Sequence, residues 1–198
     1  PNYAITFVSA NLTIDARPLT LTATNRTKTF GDSDPSLAYT ITSGSLVGSD
    51  ALSGSISRNS GENIGSYVIS QGTLAHSNYA ITFNDGSFVI NGANQSGFTL
   101  SSADTLVTYQ ESTTLSVTGG NGNGAVSFEV TDGTGGCTIS GNTVTAVAAG
   151  TCVITATKAQ EGNYNEATSN IVTITVARRA QIVAFTKPAD RNFSTTAF

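Results

Sequence analysis

The chain has 198 residues, of which 38% are hydrophobic and only 11% are charged, against roughly 25% charged residues in ordinary globular domains. The net charge is −4, and basic residues are scattered except for Arg178-Arg179, so no basic stripe is available to bind a nucleic acid backbone. No apolar run approaches the roughly 20 residues of a membrane-spanning helix, so we expect no membrane span in this segment.

Serine, threonine, asparagine and glycine are abundant. Threonine suits strand faces, while glycine and asparagine suit turns, so this composition predicts an all-β protein. Disorder is the competing interpretation of such a polar chain. Regular alternation of the apolar residues argues against it, because disordered tracts lack that pattern.

A hexapeptide occurs twice. Asn2–Phe7 and Asn78–Phe83 are identical, at an offset of 78 − 2 = 76 residues. The equivalence continues at the same offset, with Leu12 on Phe88 and Ile14 on Ile90. A period of this size indicates tandem modules rather than one enzyme fold. We therefore predict that residues 1–15 are the C-terminal β-hairpin of a preceding repeat, and that the chain is a slice of a longer array.

Residues 16–91 are predicted to form one β module. Six segments show the period-two alternation of half-buried strands, separated by turn dipeptides. They are Leu19–Thr24, Ala38–Thr42, Gly54–Ser57, Ser66–Ser70, Asn78–Phe83 and Ser87–Ile90. Only Ser45–Leu52 could hold a helical turn, and it would be short.

The polar residues 92–97 are the predicted linker to a second module, residues 98–178. Its predicted strands are Phe98–Ser101, Thr114–Thr118, Val126–Val130, Cys137–Ser140, Thr143–Val147, Cys152–Thr157 and Ile171–Val176. Seven short strands at this spacing predict an immunoglobulin-like β-sandwich. Residues 179–198 are the predicted start of a following repeat.

Three stretches of the first module carry a family resemblance. Residues 28–37 read KTFGDSDPSL, residues 61–67 read GENIGSY and residues 78–81 read NYAI. In this order and spacing they resemble the MBG repeat of bacterial surface proteins, YGx type. Phe30 stands where the family usually has tyrosine before glycine. The resemblance implies a β-grasp-like module, with a small β-sandwich as the alternative; either would contain at most one short helix.

The second module resembles bacterial immunoglobulin-like repeats that carry a cysteine pair. The resemblance lies in residues 136–141 (GCTISG), 149–152 (AGTC) and 162–167 (GNYNEA). Such modules occur in long adhesins and other secreted bacterial proteins. Together the two resemblances imply a secreted or surface-displayed protein that forms arrays; they imply no ligand.

Cys137 and Cys152 are the only cysteines. Cys137 shares a strand face with Ile139, and Cys152 shares one with Ile154, so both sulfurs should enter one core. We predict an inter-sheet disulfide formed in an oxidising compartment, worth ~3 kcal/mol by loop entropy. Two buried free thiols are the alternative. Zinc is not expected, because one histidine and two distant cysteines do not supply four ligands.

Two acidic residues form one candidate metal site. Asp32 and Asp34 lie two residues apart in a turn, where alternate carboxylates can converge on calcium. No third acid follows at loop spacing, and aspartates in turns often accept backbone N–H bonds instead. We predict no other metal and no cofactor.

No catalytic residues are predicted. His76 lies in a connection without a nucleophile and acid arranged around it, so we expect an exposed loop histidine. Glutamates that could act as acid–base pairs fall in separate elements: Glu62, Glu111, Glu129, Glu161 and Glu166.

Two further features, a lysine cross-link and Tyr164, are interpreted from the sequence. An intramolecular Lys–Asn isopeptide bond is discounted, because Lys28 is expected in a turn and Lys158 at a strand end, and neither side chain is expected to point inward. Tyr164 is expected to plug one end of the second sandwich, with a hydroxyl bonded to backbone. A sugar-stacking platform at Tyr164 is the alternative.

We therefore expect non-catalytic modules in the stalk of a bacterial surface adhesin, whose partners are neighbouring repeats. Each module would add length, and the short linker would limit bending. The rival function is a binding module, in which the loops Gly119–Gly124 and Thr131–Gly136 at one end of the second sandwich bind a glycan or protein.

Overall fold

The structure is a computed structural model that describes residues 2–189. This part of the chain contains strands and turns but no helix, so the predicted all-β class is confirmed and Ser45–Leu52 forms no helical turn. The chain divides into two compact units. Unit 1 comprises residues 1–96, 120–125 and 158–167, and unit 2 comprises residues 97–119, 126–157 and 168–198.

Unit 1 contains two sheets. Its strands are β1 (Arg17–Ala23), β2 (Arg26–Thr29), β3 (Tyr39–Ser43), β4 (Ser57–Arg58), β5 (Gly65–Ser70), β6 (Tyr79–Asn84) and β7 (Gly86–Asn91). One sheet has the order β3-β1-β6 and the other β2-β7-β5-β4. The pairs β1–β6 and β2–β7 are parallel. The consecutive strands β1 and β2 thus belong to different sheets. Strand β2 is absent from the sequence prediction.

The core of unit 1 lies between these sheets. One buried cluster holds Leu19, Leu21, Leu74 and Tyr79, and a second holds Ala23, Ile69, Phe88 and Ile90. Ile56 and Phe83 pack against both clusters, so the apolar interior is continuous. Of the two predicted folds, the small β-sandwich matches this structure; the β-grasp alternative does not, because it requires a helix packed on a sheet.

Residues 2–15 do not form the predicted hairpin in this chain. Residues 2–16 form no strand, and the side chains of Tyr3, Ile5 and Phe7 are 90%, 95% and 88% exposed. In the identical hexapeptide at residues 78–83, Tyr79 is only 6% exposed. A two-stranded hairpin is marginal in water without a third strand or another layer to cover its apolar face.

The remaining strands form two more sheets. They are β8 (Thr99–Ser102), β9 (Leu106–Thr108), β10 (Ser112–Thr118), β11 (Val126–Asp132), β12 (Cys137–Ser140), β13 (Thr143–Ala146), β14 (Gly150–Lys158), β15 (Ala167–Thr168) and β16 (Val172–Ala177). One sheet has the order β12-β13-β10-β8. The other has the order β11-β14-β16-β9, with β15 beside β14.

This strand order is that of an immunoglobulin-like sandwich. The sheet β8-β10-β13-β12 matches the A-B-E-D sheet, and β11-β14-β16 matches C-F-G. Strand β9 extends the second sheet by pairing in parallel with β16. The predicted immunoglobulin-like fold is therefore confirmed, although the sequence prediction omitted β9 and β15.

The predicted start of another repeat at residues 179–198 shows no strand as far as residue 189. Ile182 and Phe185 are 92% and 91% exposed. Residues 190–198 lie outside the described residues.

Candidate functional site

Three motif residues of unit 1, Lys28, Asp34 and Glu62, form a charged network with Arg58, which lies outside the motif stretches. Lys28 lies on β2 with its side chain only 4% exposed. Its Nζ is 2.7 Å from Asp34 Oδ1 and also pairs with Glu62 Oε2. The expectation that Lys28 lies in a turn and does not point inward is therefore wrong. On β2 its neighbours Thr27 and Thr29 are exposed, because strand side chains alternate between faces.

Arg58 is the centre of this network. Its Nε and Nη2 donate to the two oxygens of Asp34, at 2.6 and 3.2 Å, and Nη2 also donates to Glu62. Nη1 donates to the carbonyls of Asn59 and Gly61, at 2.9 and 2.7 Å. The planar guanidinium matches this fork of acceptors in a way that an ammonium cannot.

Two aromatic rings flank the same guanidinium. Its carbon lies 4.7 Å from the centroid of Phe88 and 5.5 Å from that of Tyr67. Both distances fall within the range of cation–π attraction. Arg58 therefore joins the ionic network to the buried cluster that contains Phe88.

The network keeps all four groups ionised at neutral pH. Hydrogen bonds from Arg58, and then from Lys28, lower the pKa of Asp34 to about 2. Lys28 and then Arg58 lower the pKa of Glu62. The carboxylates in turn raise the pKa of Lys28 and of Arg58, chiefly through Asp34 in each case. Two positive charges thus balance two negative charges.

This arrangement argues against the calcium site considered at Asp32 and Asp34. Asp34 already accepts from two cations, and their positive charges oppose a third. Asp32 Oδ2 accepts only a long bond of 3.4 Å from the Thr29 backbone N–H. The described residues contain no cluster of three or more His, Cys, Asp or Glu side chains that could bind a metal ion.

The network also opposes an isopeptide bond, despite the inward position of Lys28. A Lys–Asn isopeptide bond forms when a neutral lysine amine attacks a side-chain amide and ammonia leaves. The Nζ of Lys28 instead contacts the carboxylates of Asp34 and Glu62, and the raised pKa of Lys28 favours its charged, non-nucleophilic form. The contact is therefore an ion pair.

The motif stretch at residues 61–67 begins with Gly61 and ends with Tyr67, which lie against each other. Gly61 has φ +140°, and a Cβ placed there would lie 2.3 Å from the Tyr67 ring. The Tyr67 hydroxyl donates to the carbonyl of Asn63 at 2.8 Å. Glycine at position 61 thus lets the tyrosine ring cross close over the chain beside Arg58.

Tyr79 anchors the hexapeptide strand. Its buried hydroxyl donates to Asp50 Oδ2 and accepts from the Val47 N–H, each at 2.8 Å. Burial, followed by the bond to Asp50, raises the pKa of this phenol. The backbone N–H of Arg17 donates to the Asn78 carbonyl at 2.9 Å, which places β6 on the edge of β1.

The loop at residues 158–167 belongs to unit 1. The Tyr164 ring meets Phe30 edge-on, with centroids 5.7 Å apart. Asn163 Oδ1 accepts from the Ile64 N–H at 2.8 Å, and its Nδ2 donates to Asn63 Oδ1 at 2.9 Å. Tyr164 therefore packs in unit 1, whereas sequence reasoning placed it as a plug in the second sandwich.

The predicted linker at residues 92–97 is extensively hydrogen-bonded up to residue 96. The Ala93 N–H donates to the Asn163 carbonyl at 3.0 Å, and the Ala93 carbonyl accepts from the Asn165 N–H at 2.9 Å. Gln95 Nε2 donates to the Asn165 carbonyl at 2.7 Å. This stretch is therefore an ordered part of unit 1.

Cys137 and Cys152 form a disulfide, with Cα atoms 6.2 Å apart. Cys137 begins β12, and Cys152 lies on β14 in the facing sheet. Cys152 is fully buried. The predicted inter-sheet bond is present, but in the strand correspondence above it joins D and F rather than the B and F strands of antibody domains.

The histidine and two of the glutamates considered from the sequence accept hydrogen bonds from backbone N–H groups. His76 is half-buried, and its Nδ1 accepts from the Asn78 N–H at 3.1 Å while its ring meets Tyr79. The prediction that it is exposed is therefore wrong. Glu111 Oε2 accepts from the Thr108 N–H, and Glu161 Oε2 accepts from the Asn123 N–H.

The two loops of the rival binding function do not form a common site. Gly119–Gly124 precedes β11 and Thr131–Gly136 overlaps its end, so β11 separates them. A seven-residue strand spans roughly 20 Å. The prediction that both loops lie at one end of the sandwich is wrong.

Residues 2–189 hold no helix long and apolar enough to cross a bilayer. Unit 1 is thus a β-sandwich with an ionic network at its motif residues, and the second sandwich has immunoglobulin topology closed by a disulfide.

Comparison with known proteins identifies a family for part of unit 1. Residues 19–89 match the family model of the MBG domain (YGX type), which contains the hexapeptide strand and all four charged residues of the network. No curated protein matches the chain. The crystal structure of murine CEACAM1b is similar at 14% identity and a TM-score of 0.31, over 58% of this chain and 59% of that one. A likeness of this size supports no inference about function.

Proposed function

We propose that this chain contributes non-catalytic repeat modules to the stalk of a secreted or surface-anchored bacterial adhesin. The observation that carries the proposal is the repetition of Asn2–Phe7 at Asn78–Phe83 inside a segment that matches the MBG domain. A sequence segment duplicated at this period is typical of tandem modules that extend a protein.

One feature supports an extracellular location, and two support a structural, non-catalytic role. The disulfide between Cys137 and Cys152 suits an oxidising compartment. The charged side chains that meet in unit 1 bind each other, which stabilises a module instead of presenting a reactive group. In His76, the ring and its acceptor nitrogen are engaged by Tyr79 and Asn78.

The role is tested in two steps. An antibody against the chain should label intact, non-permeabilised cells of the source organism, and labelling only after permeabilisation would refute surface display. The purified chain should then fail to block adhesion of those cells when added in excess. Inhibition of adhesion by the soluble chain would favour the rival function, in which this segment itself binds a glycan or protein.

A further inference from the structure

Two identical hexapeptides have opposite environments in this chain. Residues 78–83 bring β6 onto the edge of β1, whereas residues 2–7 form no strand and expose Tyr3, Ile5 and Phe7. The same six residues are therefore a strand in one copy and exposed, without a strand, in the other. Because the sequences are identical, the difference must come from the neighbouring residues that each copy can contact.

The contacts of β6 define that surface. Tyr79 pairs with Arg17 at the start of a parallel register along β1. The Tyr79 hydroxyl lies between the Val47 N–H and the Asp50 carboxylate. Ile81 and Phe83 pack against the core cluster. These side chains all belong to the hexapeptide, so residues 2–7 carry the same contact groups.

The residues that follow extend the match. Ile14 is equivalent to Ile90, which is fully buried in β7. The consecutive strands β6 and β7 belong to different sheets of unit 1. Residues 2–14 therefore have the apolar pattern to complete both sheets of a unit of this kind.

Two positions decide which unit can accept the segment. Ala10 is equivalent to Gly86, where an added Cβ would lie 2.8 Å from the Ala23 Cβ. Leu12 is equivalent to Phe88, whose ring lies beneath the Arg58 guanidinium. Both differences disfavour residues 2–14 in unit 1 itself, which keeps its own β6 and β7.

We propose that residues 2–14 supply the last two strands of another unit of this kind, and that Tyr3 inserts its hydroxyl between the equivalents of Val47 and Asp50. The accepting unit has more room where unit 1 has Ala23. This inference rests on the proposed repeat array. A second copy of this chain is the less favourable acceptor, because its β6 and β7 would have to leave first.

The test extends the full chain with its own sequence. Residues 16–77 are joined ahead of Asn2, so that the new junction reads His-Ser-Asn-Tyr as it does at residues 76–79. A second version carries Ala10→Gly, which restores the glycine found at position 86. Amide hydrogen exchange is then measured at residues 4–7 and 12–14.

In the extended chain with Ala10→Gly, amide exchange at these residues should be at least about 100-fold slower than in the unextended chain. The reason is that exchange from an ordered strand requires local opening. The version that retains Ala10 should be protected less. Tyr3→Phe should reduce protection about 5-fold in the extended chain, as expected for loss of a hydrogen bond. In the unextended chain, neither substitution should change exchange.

Unchanged exchange at residues 4–7 in both extended versions would overturn the proposal. Protection in the unextended chain that grows with protein concentration would also overturn it, because a second copy would then be the acceptor. Neither result would alter surface labelling or adhesion blocking, so the proposed function is tested separately.

Discussion

Replacing Arg58 tests whether the ionic network stabilises unit 1. Arg58→Met retains an unbranched side chain over Phe88 but removes every donor of the guanidinium. Arg58→Lys retains the charge but not the planar fork. Both variants should lower the free energy of unfolding of unit 1. Arg58→Met should lower it more, because it removes the positive charge as well as the planar fork.

The size of the expected destabilisation depends on how well Asp34 and Glu62 are still solvated and paired once Arg58 is replaced. Asp34 and Glu62 are 41% and 63% exposed and still pair with Lys28, so water can replace part of the lost bonding. Hydrogen bonds to charged groups contribute ~1.5–3 kcal/mol when buried, and exposed ion pairs ~0.2–1 kcal/mol. With the lost ring contact added, we expect Arg58→Met to cost about 2–3 kcal/mol and Arg58→Lys about 1–2 kcal/mol.

Urea unfolding followed by tyrosine fluorescence is a suitable assay. The chain has no tryptophan and six tyrosines, of which only Tyr109 belongs to unit 2. Arg17→Met is the matched control, because Arg17 is exposed and its side chain makes one long bond of 3.3 Å to Ser45. The control should change stability by less than about 0.5 kcal/mol. If Arg58→Met matched this control, the assigned role of the network would be wrong.

Further predictions concern the disulfide, a glycine, the anchoring tyrosine and pH. Replacing Cys137 and Cys152 by alanine should lower the free energy of unfolding by ~3 kcal/mol in thermal or urea unfolding. Thiol titration of the unsubstituted protein, denatured without a reducing agent, should find no reactive thiol. Gly61→Ala should cost about 2 kcal/mol or more, since the new Cβ meets an aromatic ring at a positive φ; an unchanged urea midpoint would contradict this. Tyr79→Phe should lower the urea midpoint because it removes the partner of two groups, whereas Tyr3→Phe should have no effect; equal effects would refute the assignment. Because the folded-state pKa of Asp34 is lowered to about 2, its contribution is complete above its unfolded pKa of about 4 and is lost as the pH falls from about 4 towards 2. Urea titrations across this range should show a smaller loss in Asp34→Asn.

Strands with clear alternation could be predicted from sequence. β1 alternates buried apolar residues with threonines, and β14 does the same around Cys152. The omitted strands β2, β9 and β15 are only four, three and two residues long. Such short segments carry too little periodicity to be recognised, and β2 is a strand because β7, distant in sequence, pairs with it.

The charged network shows a different limit. Its motif was recognisable as a family resemblance, but the side-chain pairing was not. Arg58 and Asp34 are 24 residues apart, and Lys28 lies on the short strand β2, where the sequence pattern predicts a turn. The position of Arg58 in the sequence does carry a signal, because it is the only lysine or arginine between residues 29 and 157. A single positive charge in so long a charge-poor stretch favours a specific ionic partner.

The sequence alone determined the all-β class, the immunoglobulin-like second sandwich, the cysteine pair and the repeated hexapeptide, because composition, alternation and spacing are local properties. Only the tertiary structure decided which copy of the hexapeptide becomes a strand. Residues 78–83 pair with β1 and bury Tyr79, while residues 2–7 remain exposed. The physical reason is that a strand edge is stabilised by hydrogen bonds and apolar contacts with its neighbours, and those neighbours are brought together only by the folded chain.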